Sequence, residues 1–314
     1  MRESIAGYRA LVCDLDGVVY RGPVAVPHAV SALSAFDGPT LYATNNASRP
    51  PGIVAAHLRE LGLPATEADV VNSSQAAAWQ LSSRLPAGAD VLVIGGEGVG
   101  IAVREAGFTA LEPGASTEPV AAVVQGYGPD VRAQDLAEAA YAVQVGALWV
   151  ATNTDATLPT DRGIAPGNGS LVAAVERAVG RAPDMVAGKP EPAIYQLCRE
   201  RLDLPTGDLL AVGDRLDTDI AGANTVGMDS LLVLTGVDDL DHVVSAAPPL
   251  RPTWIARDLR VLESAEAVAE AVALTDEVRE LWSRIDSGSS IEEALRQIRS
   301  SEVLRPQGGD GSVA

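Results

Sequence analysis

The chain has 314 residues, of which 47% are hydrophobic and 21% are charged, and its formal net charge at pH 7 is −19. The composition is typical of globular proteins and the length suggests two domains. The negative charge argues against a nucleic-acid partner, because binding to that backbone requires clustered Lys and Arg. No stretch is apolar enough for a membrane span, and the first residues lack the apolar core of a secretory signal. We therefore expect a cytoplasmic protein without membrane or nucleic-acid partners. Cys13 and Cys198 are too few for a disulfide framework or a cysteine metal cluster.

Short apolar runs alternate with segments of helical period along most of the chain, which is typical of parallel βαβ units. In the first part, the runs predict strands at residues 10–13, 41–44 and 70–71. Ser48 is expected to cap the helix that follows the second strand, and Gly62 to end it. Pro50 and Pro51 suit the first turn of that helix, because its backbone N–H groups would have no intrahelical partner. An alanine-rich helix should begin near Ser74.

The pattern restarts after about residue 84 and predicts an inserted second domain with its own sheet. Its strands are expected at residues 91–94, 120–124 and 148–151, and its helices at 99–106, 131–145 and 171–179. The segment from Thr152 to Ser170 reads as a long loop rich in Thr, Asp, Pro and Gly. A loop of that length in a compact domain is usually functional or disordered.

The first pattern then resumes, with a helix predicted at residues 190–202 and strands at 209–212, 230–234 and 253–256. We assign residues 1–79 and 187–263 to a catalytic core, 80–186 to an inserted α/β domain, and 264–314 to a helical C-terminal extension with a disordered end. Apolar residues recur at helical spacing in that extension; they are Val268, Ala271, Val272, Val278, Leu281, Trp282 and Ile285. A capping box of Ser290 and Glu293 predicts a second short helix. We expect the extension to pack on the core or to build a homodimer contact.

Four fragments at strand ends or helix starts carry groups suited to a phosphate or a cation. They are Asp14-Leu15-Asp16-Gly17, Thr44-Asn45-Asn46, Gly188-Lys189-Pro190, and Gly213-Asp214 followed by Asp217 and Asp219. Taken singly, each has an ordinary explanation: an Asp-rich turn, a polar turn, a solvated lysine, and acids that favour a helix N-terminus. Because open α/β sheets bind ligands at the carboxyl ends of their strands, the four together indicate one site.

The residue types favour phosphoryl chemistry. Asp14 and Asp214 could supply the one or two carboxylates that Mg²⁺ takes from a protein when substrate phosphate supplies other ligands. A carboxylate such as Asp14 can attack phosphorus and form an aspartyl-phosphate. A second carboxylate, Asp16, could protonate the leaving oxygen and then deprotonate the attacking water. Positive and polar groups would stabilise charge on the transferred phosphoryl group; the candidates are Lys189, Thr44 and Asn45.

In this order, the fragments DLDG, TNN, GK and GDxxxxD resemble the haloacid dehalogenase superfamily of phosphatases. The longer stretches DLDGVVYRG, TNNASR, GKPEP and GDRLDTDI resemble its class IIA, p-nitrophenyl phosphatase-like branch. The resemblance implies a doubly wound, Rossmann-like parallel-sheet core with an α/β cap domain inserted between the second and third motifs.

Site roles follow from the same resemblance. It implies that Asp14 is the nucleophile and Asp16 the acid and base. It also implies a phosphate site and a Mg²⁺ site: the phosphate would be held by Thr44, Asn45, Asn46 and the catalytic Lys189, and Mg²⁺ by Asp14, the backbone carbonyl of Asp16, and Asp214, with Asp219 in the outer shell.

The loop at residues 152–170 resembles the substrate-specificity loop of such caps. Its sequence TNTDATLP is similar to that of glycerol-3-phosphate and phosphoglycolate phosphatases. We expect Asn153, Asp155 and Arg162 to read the substrate; the alternative is that the Asn and Asp only shape the loop.

These observations predict Mg²⁺-dependent hydrolysis of a small phosphorylated metabolite. Glycerol 3-phosphate is the first candidate substrate, followed by phosphoglycolate and nucleoside monophosphates. Two other classes stay open at this point: a non-catalytic phosphate-binding module that recruits a partner, and a phosphotransferase that passes the phosphoryl group to another sugar.

Overall fold

The computed structural model describes residues 5–115, 118–160 and 162–301. In chain order, its strands are β1 (Ala10–Cys13), β2 (Tyr20–Arg21), β3 (Val24–Ala25), β4 (Thr40–Thr44), β5 (Val70–Asn72), β6 (Asp90–Ile94), β7 (Thr109–Leu111), β8 (Ala122–Gln125), β9 (Leu148–Ala151), β10 (Thr157–Thr160), β11 (Gly163–Pro166), β12 (Met185–Val186), β13 (Leu209–Gly213), β14 (Asp229–Val233) and β15 (Trp254–Ala256). Its α-helices are α1 (Ala29–Ala35), α2 (Pro51–Glu60), α3 (Ser73–Ser82), α4 (Glu97–Glu105), α5 (Ala133–Gln144), α6 (Asn168–Val179), α7 (Ala193–Leu202), α8 (Ala221–Thr225), α9 (Leu240–Val244), α10 (Ala265–Asp286) and α11 (Ile291–Ser300).

The first sheet has six parallel strands in the order β15-β14-β13-β1-β4-β5. The chain runs outward from β1 through β4 to β5, and then outward on the other side from β13 through β14 to β15. All residues of β1 and β13 are buried, because helices cover both faces of such a sheet. The reversal between β1 and β13 is the switch point at which doubly wound sheets bind ligands. The predicted α/β class with a Rossmann-like core is confirmed.

The second sheet has five parallel strands in the order β12-β9-β8-β6-β7. All five come from residues 90–186, inside the segment predicted as the inserted domain. The domain boundaries at residues 79, 186 and 263 stay a prediction. Two of the five strands, β7 and β12, have three and two residues. Neither of these two strands was predicted from the sequence.

One apolar cluster joins the two sheets. Val12 of β1 and Ala43 of β4 belong to the same buried cluster as Val93 of β6. A backbone contact supports this junction, since the N–H of Gly98 in α4 donates to the carbonyl of Ser48, at 3.1 Å. The beginning of α4 therefore rests on the loop that follows β4.

The segment at residues 152–170 is not one continuous loop. Its strands β10 and β11 pair as an antiparallel hairpin, and α6 begins at Asn168, three residues before the predicted start. Pro159 and Pro166 lie within these strands. Proline cannot donate to a sheet ladder, and it is tolerated here because each strand of an isolated hairpin is an edge strand.

Two predicted caps were wrong in detail. The N-cap of α2 is Pro50, and the Ser48 side chain makes no cap there. Ser290 is the N-cap of α11 and accepts the Glu292 N–H, but the Glu293 carboxylate approaches Arg284 at 3.5 Å. The start of α7 also differs, because it lies at Ala193 and not at residue 190.

The C-terminal extension packs on the first sheet. Its helix α10 lies against β15, and Thr275 accepts the Ile255 N–H at the sheet edge, at 2.9 Å. The buried Trp282 donates its indole N–H to the Val243 carbonyl, at 2.9 Å. Most of the predicted apolar stripe is therefore core; the predicted disordered end lies outside the described residues. None of the described helices combines the length and apolar character that a membrane span requires.

Candidate active site

The site is built around a buried lysine at the carboxyl ends of the strands of the first sheet. The Lys189 side chain is 4% exposed, and its ammonium donates to Asp14 and to Asp219, the latter at 2.7 Å. A third bond reaches the Ala43 carbonyl, near the end of β4, at 3.1 Å. Residues from three of the four predicted fragments thus meet at one side chain, although 175 positions separate Asp14 from Lys189 in sequence.

Asp214 completes an acidic cluster with Asp14 and Asp219. One carboxylate oxygen from each residue lies within 4.8 Å of the others. The Asp214 Oδ2 accepts the Val237 N–H at 2.8 Å. Gly17 packs against this oxygen: its φ is +86°, and a Cβ atom there would lie 2.3 Å from Asp214 Oδ2. Only glycine fits both the backbone angle and the space.

These donors fit a hard divalent cation. Carboxylate oxygens are the ligands that Mg²⁺ and Ca²⁺ prefer. The buried Oδ1 of Asp214 has no hydrogen-bond partner among the residues that the structure describes. A buried charged oxygen without a partner is costly, and a bound cation would supply that partner. Asp16 contributes no side chain to this cluster.

Burial dominates the ionisation of the cluster. It raises the pKa of Asp14 well above its usual value, and the charges of Asp219 and Asp214 add to that rise while Lys189 opposes it. Burial, followed by the Asp219 charge, raises the pKa of Asp214 to about 6. Burial also acts to lower the pKa of Lys189, but the charges of Asp14 and Asp219 outweigh it and keep the pKa above its usual value. The lysine is therefore a fixed positive charge among acids.

A π-helix at residues 216–220 orients Asp219. The Arg215 N–H donates to its Oδ2 at 3.2 Å, and the buried Tyr195 hydroxyl donates to its backbone carbonyl at 2.9 Å. Leu216 and Ile220 of this turn are buried in the same apolar cluster as residues of α10, including Trp282. Sequence reasoning missed Tyr195; its one signal is a hydroxyl on the otherwise apolar face of α7. Asp217 points elsewhere and pairs with Arg215 at 2.8 Å.

Asp16 lies two residues beyond Asp14, and its backbone forms an isolated β-bridge with Tyr20. The Asp16 side chain is exposed to solvent, although neighbouring groups remove part of its hydration. Burial raises the pKa of this carboxyl, and the positive charges of Lys189 and Arg49 oppose the rise. An accessible carboxyl with a raised pKa is suited to giving and taking a proton.

The Thr44-Asn45-Asn46 fragment spans the end of β4 and the turn that follows it. The buried Thr44 hydroxyl accepts the Asn46 N–H at 3.1 Å. The side-chain oxygen of Asn46 accepts the N–H of Ser48 at 3.1 Å and its hydroxyl at 2.9 Å. The Asn46 side chain thus shapes the turn, while Thr44 lies beside Ala43, whose carbonyl Lys189 contacts.

Of the three residues predicted to read the substrate, Asn153 and Asp155 reach this turn and Arg162 does not. The Asn153 amide donates to the Asn45 carbonyl at 2.7 Å, and the Asn45 amide donates to the Asp155 carboxylate at 3.2 Å. Arg162 is exposed in the turn of the β10–β11 hairpin, where its N–H donates to Thr160. The predicted set therefore divides into two residues that contact Asn45 and one on the hairpin turn.

Two family models match the chain. A model of haloacid dehalogenase-like hydrolases matches residues 11–109, and a HAD-hydrolase-like model matches residues 186–262. The D-glycerol 3-phosphate phosphatase of Mycobacterium tuberculosis is 48% identical over 263 residues, covering 83% of this chain and 73% of that protein. The acid sugar phosphatase of Staphylococcus aureus is 37% identical over 266 residues, covering 84% and 98% of the two chains.

Solved structures agree with these matches. The crystal structure of glycerol phosphate phosphatase from Mycobacterium tuberculosis in complex with magnesium has a TM-score of 0.80 at 47% identity, covering 86% of this chain and 82% of that one. The p-nitrophenyl phosphatase from Archaeoglobus fulgidus has a TM-score of 0.74 at 26% identity, covering 81% and 98%. The resemblance to the p-nitrophenyl phosphatase-like branch is confirmed. This chain belongs to the haloacid dehalogenase-like hydrolase family.

Proposed function

We propose that this protein is a Mg²⁺-dependent phosphatase that hydrolyses a small phosphomonoester through an aspartyl-phosphate. The observation that carries the proposal is the contact of Lys189 with Asp14 and Asp219 beside Asp214, with the accessible Asp16 two residues from Asp14. Glycerol 3-phosphate is the first candidate substrate, because the 48% identical relative is named D-glycerol 3-phosphate phosphatase.

The cation would be held by the carboxylates of Asp14 and Asp214 and by the backbone carbonyl of Asp16, with Asp219 behind them. When bound, Mg²⁺ supplies positive charge that screens the substrate phosphate from the acidic cluster and polarises its oxygens. Lys189 and Thr44 supply further charge and hydrogen bonds to the transferred phosphoryl group. In the protein without substrate or cation, the Lys189 ammonium supplies the positive charge that neutralises Asp14.

The reaction follows from the two carboxyl groups on one loop. Asp14 attacks phosphorus, and the ester P–O bond breaks while Asp16 gives its proton to the leaving alkoxide oxygen. Asp16 then takes a proton from water, and that water attacks the aspartyl-phosphate at phosphorus. The acyl phosphate P–O bond breaks, which releases inorganic phosphate and returns Asp14 to its carboxylate. The raised pKa of Asp16 favours its acid form, which the first step requires.

A phosphate-release assay tests the proposal. We expect turnover of p-nitrophenyl phosphate and of glycerol 3-phosphate with Mg²⁺, loss of turnover in EDTA, and none with Asp14→Asn. Full activity of that variant would refute the nucleophile assignment. Binding of phosphate without turnover would favour the non-catalytic module, and a new phosphoester in place of free phosphate would favour a phosphotransferase.

A sugar phosphate is the second candidate substrate, because a 37% identical relative is named acid sugar phosphatase. A panel that compares kcat/KM for glycerol 3-phosphate, sugar phosphates, phosphoglycolate and nucleoside monophosphates separates the candidates. We also propose that residues 80–186 form a cap domain on the core of residues 1–79 and 187–263. The homodimer, the cytoplasmic location and a substrate-reading role for Arg162 stay predictions.

A further inference from the structure

Asn45 lies at the junction of the cap, the turn after β4 and the segment that carries Lys189. Its side-chain oxygen accepts the Lys189 N–H at 2.7 Å, and its side-chain nitrogen donates to the Lys189 carbonyl at 3.0 Å. The same nitrogen donates to the Asp155 carboxylate at 3.2 Å. The amide oxygen of Asn45 faces a donor, the Lys189 N–H, and its amide nitrogen faces two acceptors, the Lys189 carbonyl and the Asp155 carboxylate. These partners fix the orientation of the amide. Both N–H groups of the side chain therefore have protein partners.

The cap reaches the same residue a second time through a buried side chain. Asn153 is 4% exposed and donates to the Asn45 carbonyl at 2.7 Å. Its own oxygen accepts the Asp155 N–H at 3.2 Å, which orients the Asp155 carboxylate towards the Asn45 amide. The Asn153 carbonyl in turn accepts the amide of the buried Asn168, at 2.8 Å, where α6 begins. The connection thus runs from a cap helix to the backbone of Lys189.

Gly188 shows how closely these parts meet. A Cβ atom at this position would lie 2.5 Å from the Asn45 Oδ1 and 2.7 Å from the Thr152 carbonyl. Any side chain there would push the turn after β4 away from the segment that carries Lys189. The glycine before the lysine is therefore required for the Asn45 contacts.

We propose that Asn45, Asn153 and Asp155 form a clasp that sets the position of Lys189 against the turn after β4, so that the two cap residues position the catalytic lysine and do not read the substrate. The proposal rests on the proposed phosphatase function and goes beyond it. Asn45 likewise acts through its contacts with the Lys189 backbone and not through a side-chain bond to phosphate. A small displacement of a catalytic group can strongly lower the reaction rate, so loss of this clasp should lower kcat.

The kinetic signature distinguishes positioning from substrate reading. With Asn153→Ala, we expect kcat to fall about 10- to 100-fold for both glycerol 3-phosphate and p-nitrophenyl phosphate, with KM little changed. Asp155→Ala should behave in the same way. Asp155→Asn should retain most of the activity, because its amide oxygen can still accept the Asn45 N–H. Thr154→Ala is the matched control, since Thr154 is an exposed neighbour on the same loop.

Other outcomes overturn the inference. A rise in KM for glycerol 3-phosphate alone, with p-nitrophenyl phosphate unaffected, would assign Asn153 to substrate reading. Loss of activity in Asp155→Asn equal to that in Asp155→Ala would show that the negative charge, and not the clasp, matters. Thermal unfolding of each variant checks that a loss of activity does not come from global unfolding. Gly188→Ala disrupts the same Asn45 contacts independently and should also lower kcat. A wild-type protein without Mg²⁺-dependent phosphatase activity would refute the proposed function itself.

Discussion

Replacement of Lys189 by methionine tests the electrostatic balance of the site. The ammonium is buried, contacts two carboxylates and donates to one carbonyl. Lys189→Met keeps most of the apolar stem but leaves Asp14 and Asp219 without their counter-charge. Removal of one partner of a buried ion pair costs about 3–5 kcal/mol. We expect the free energy of unfolding in EDTA to fall by about that amount at pH 8.

The loss should depend on pH in a defined direction. Burial already raises the pKa of Asp14, and Lys189 is the group that opposes this rise. Without the lysine, the pKa of Asp14 in the folded variant lies above that in the folded wild type, so the variant keeps a proton on Asp14 up to a higher pH. A state that binds more protons gains stability as pH falls. The loss relative to wild type should therefore shrink as pH falls, by up to about 1.4 kcal/mol for each pH unit between the folded-state pKa values of Asp14 in the variant and in the wild type.

Urea unfolding in EDTA between pH 5 and pH 8 measures both effects. Arg181→Met is the control. The Arg181–Asp184 ion pair has an N–O distance of 3.0 Å and is partly exposed. Such pairs contribute about 0–1 kcal/mol to the free energy of unfolding. A Lys189→Met protein as stable as wild type at pH 8 would refute the reasoning. A loss of stability that grows as the pH falls would also contradict it.

Two further predictions concern proton transfer and the C-terminal extension. Asp16→Asn should slow phosphoryl transfer from glycerol 3-phosphate by about 10²–10⁴-fold in single-turnover measurements. The loss should be smaller with p-nitrophenyl phosphate, because a phenolate leaves without a proton and an alkoxide does not. Thr275→Val should lower the free energy of unfolding by about 1–3 kcal/mol, because the Ile255 N–H would lose its acceptor at the sheet edge.

Each of these predictions has its own check. Equal losses on the two substrates would argue that Asp16 does not protonate the leaving group. For the extension, Thr275→Ser keeps the hydroxyl that accepts the Ile255 N–H, so it should be more stable than Thr275→Val. The reverse order would show that α10 contributes packing and not a hydrogen bond at this position.

Much of the site around Lys189 could be predicted from the sequence, because the patterns that indicate it lie within short stretches of the chain. An apolar run followed at once by Asp14 or Asp214 marks the end of a buried parallel strand, and such ends share one edge of a sheet. The structure brings these two residues and Lys189 to the predicted place. Arg162 differs, since nothing in a Thr-, Pro- and Gly-rich segment indicated that it would lie on the turn of a hairpin.

The sequence by itself determined the class of fold, the strands that end in Asp14 and Asp214, and the amphipathic helices of the extension. These features follow from residue periodicity and from the turn chemistry of neighbouring residues. Only the tertiary structure decided the partners of Asn45, the bond from Tyr195 to Asp219, and the cover that Thr275 gives to the sheet edge. The Asn45 bonds join residues 110 and 144 positions apart. An amide is equally suited to phosphate, solvent or a neighbouring backbone, so the choice among them depends on what folding brings within hydrogen-bond distance.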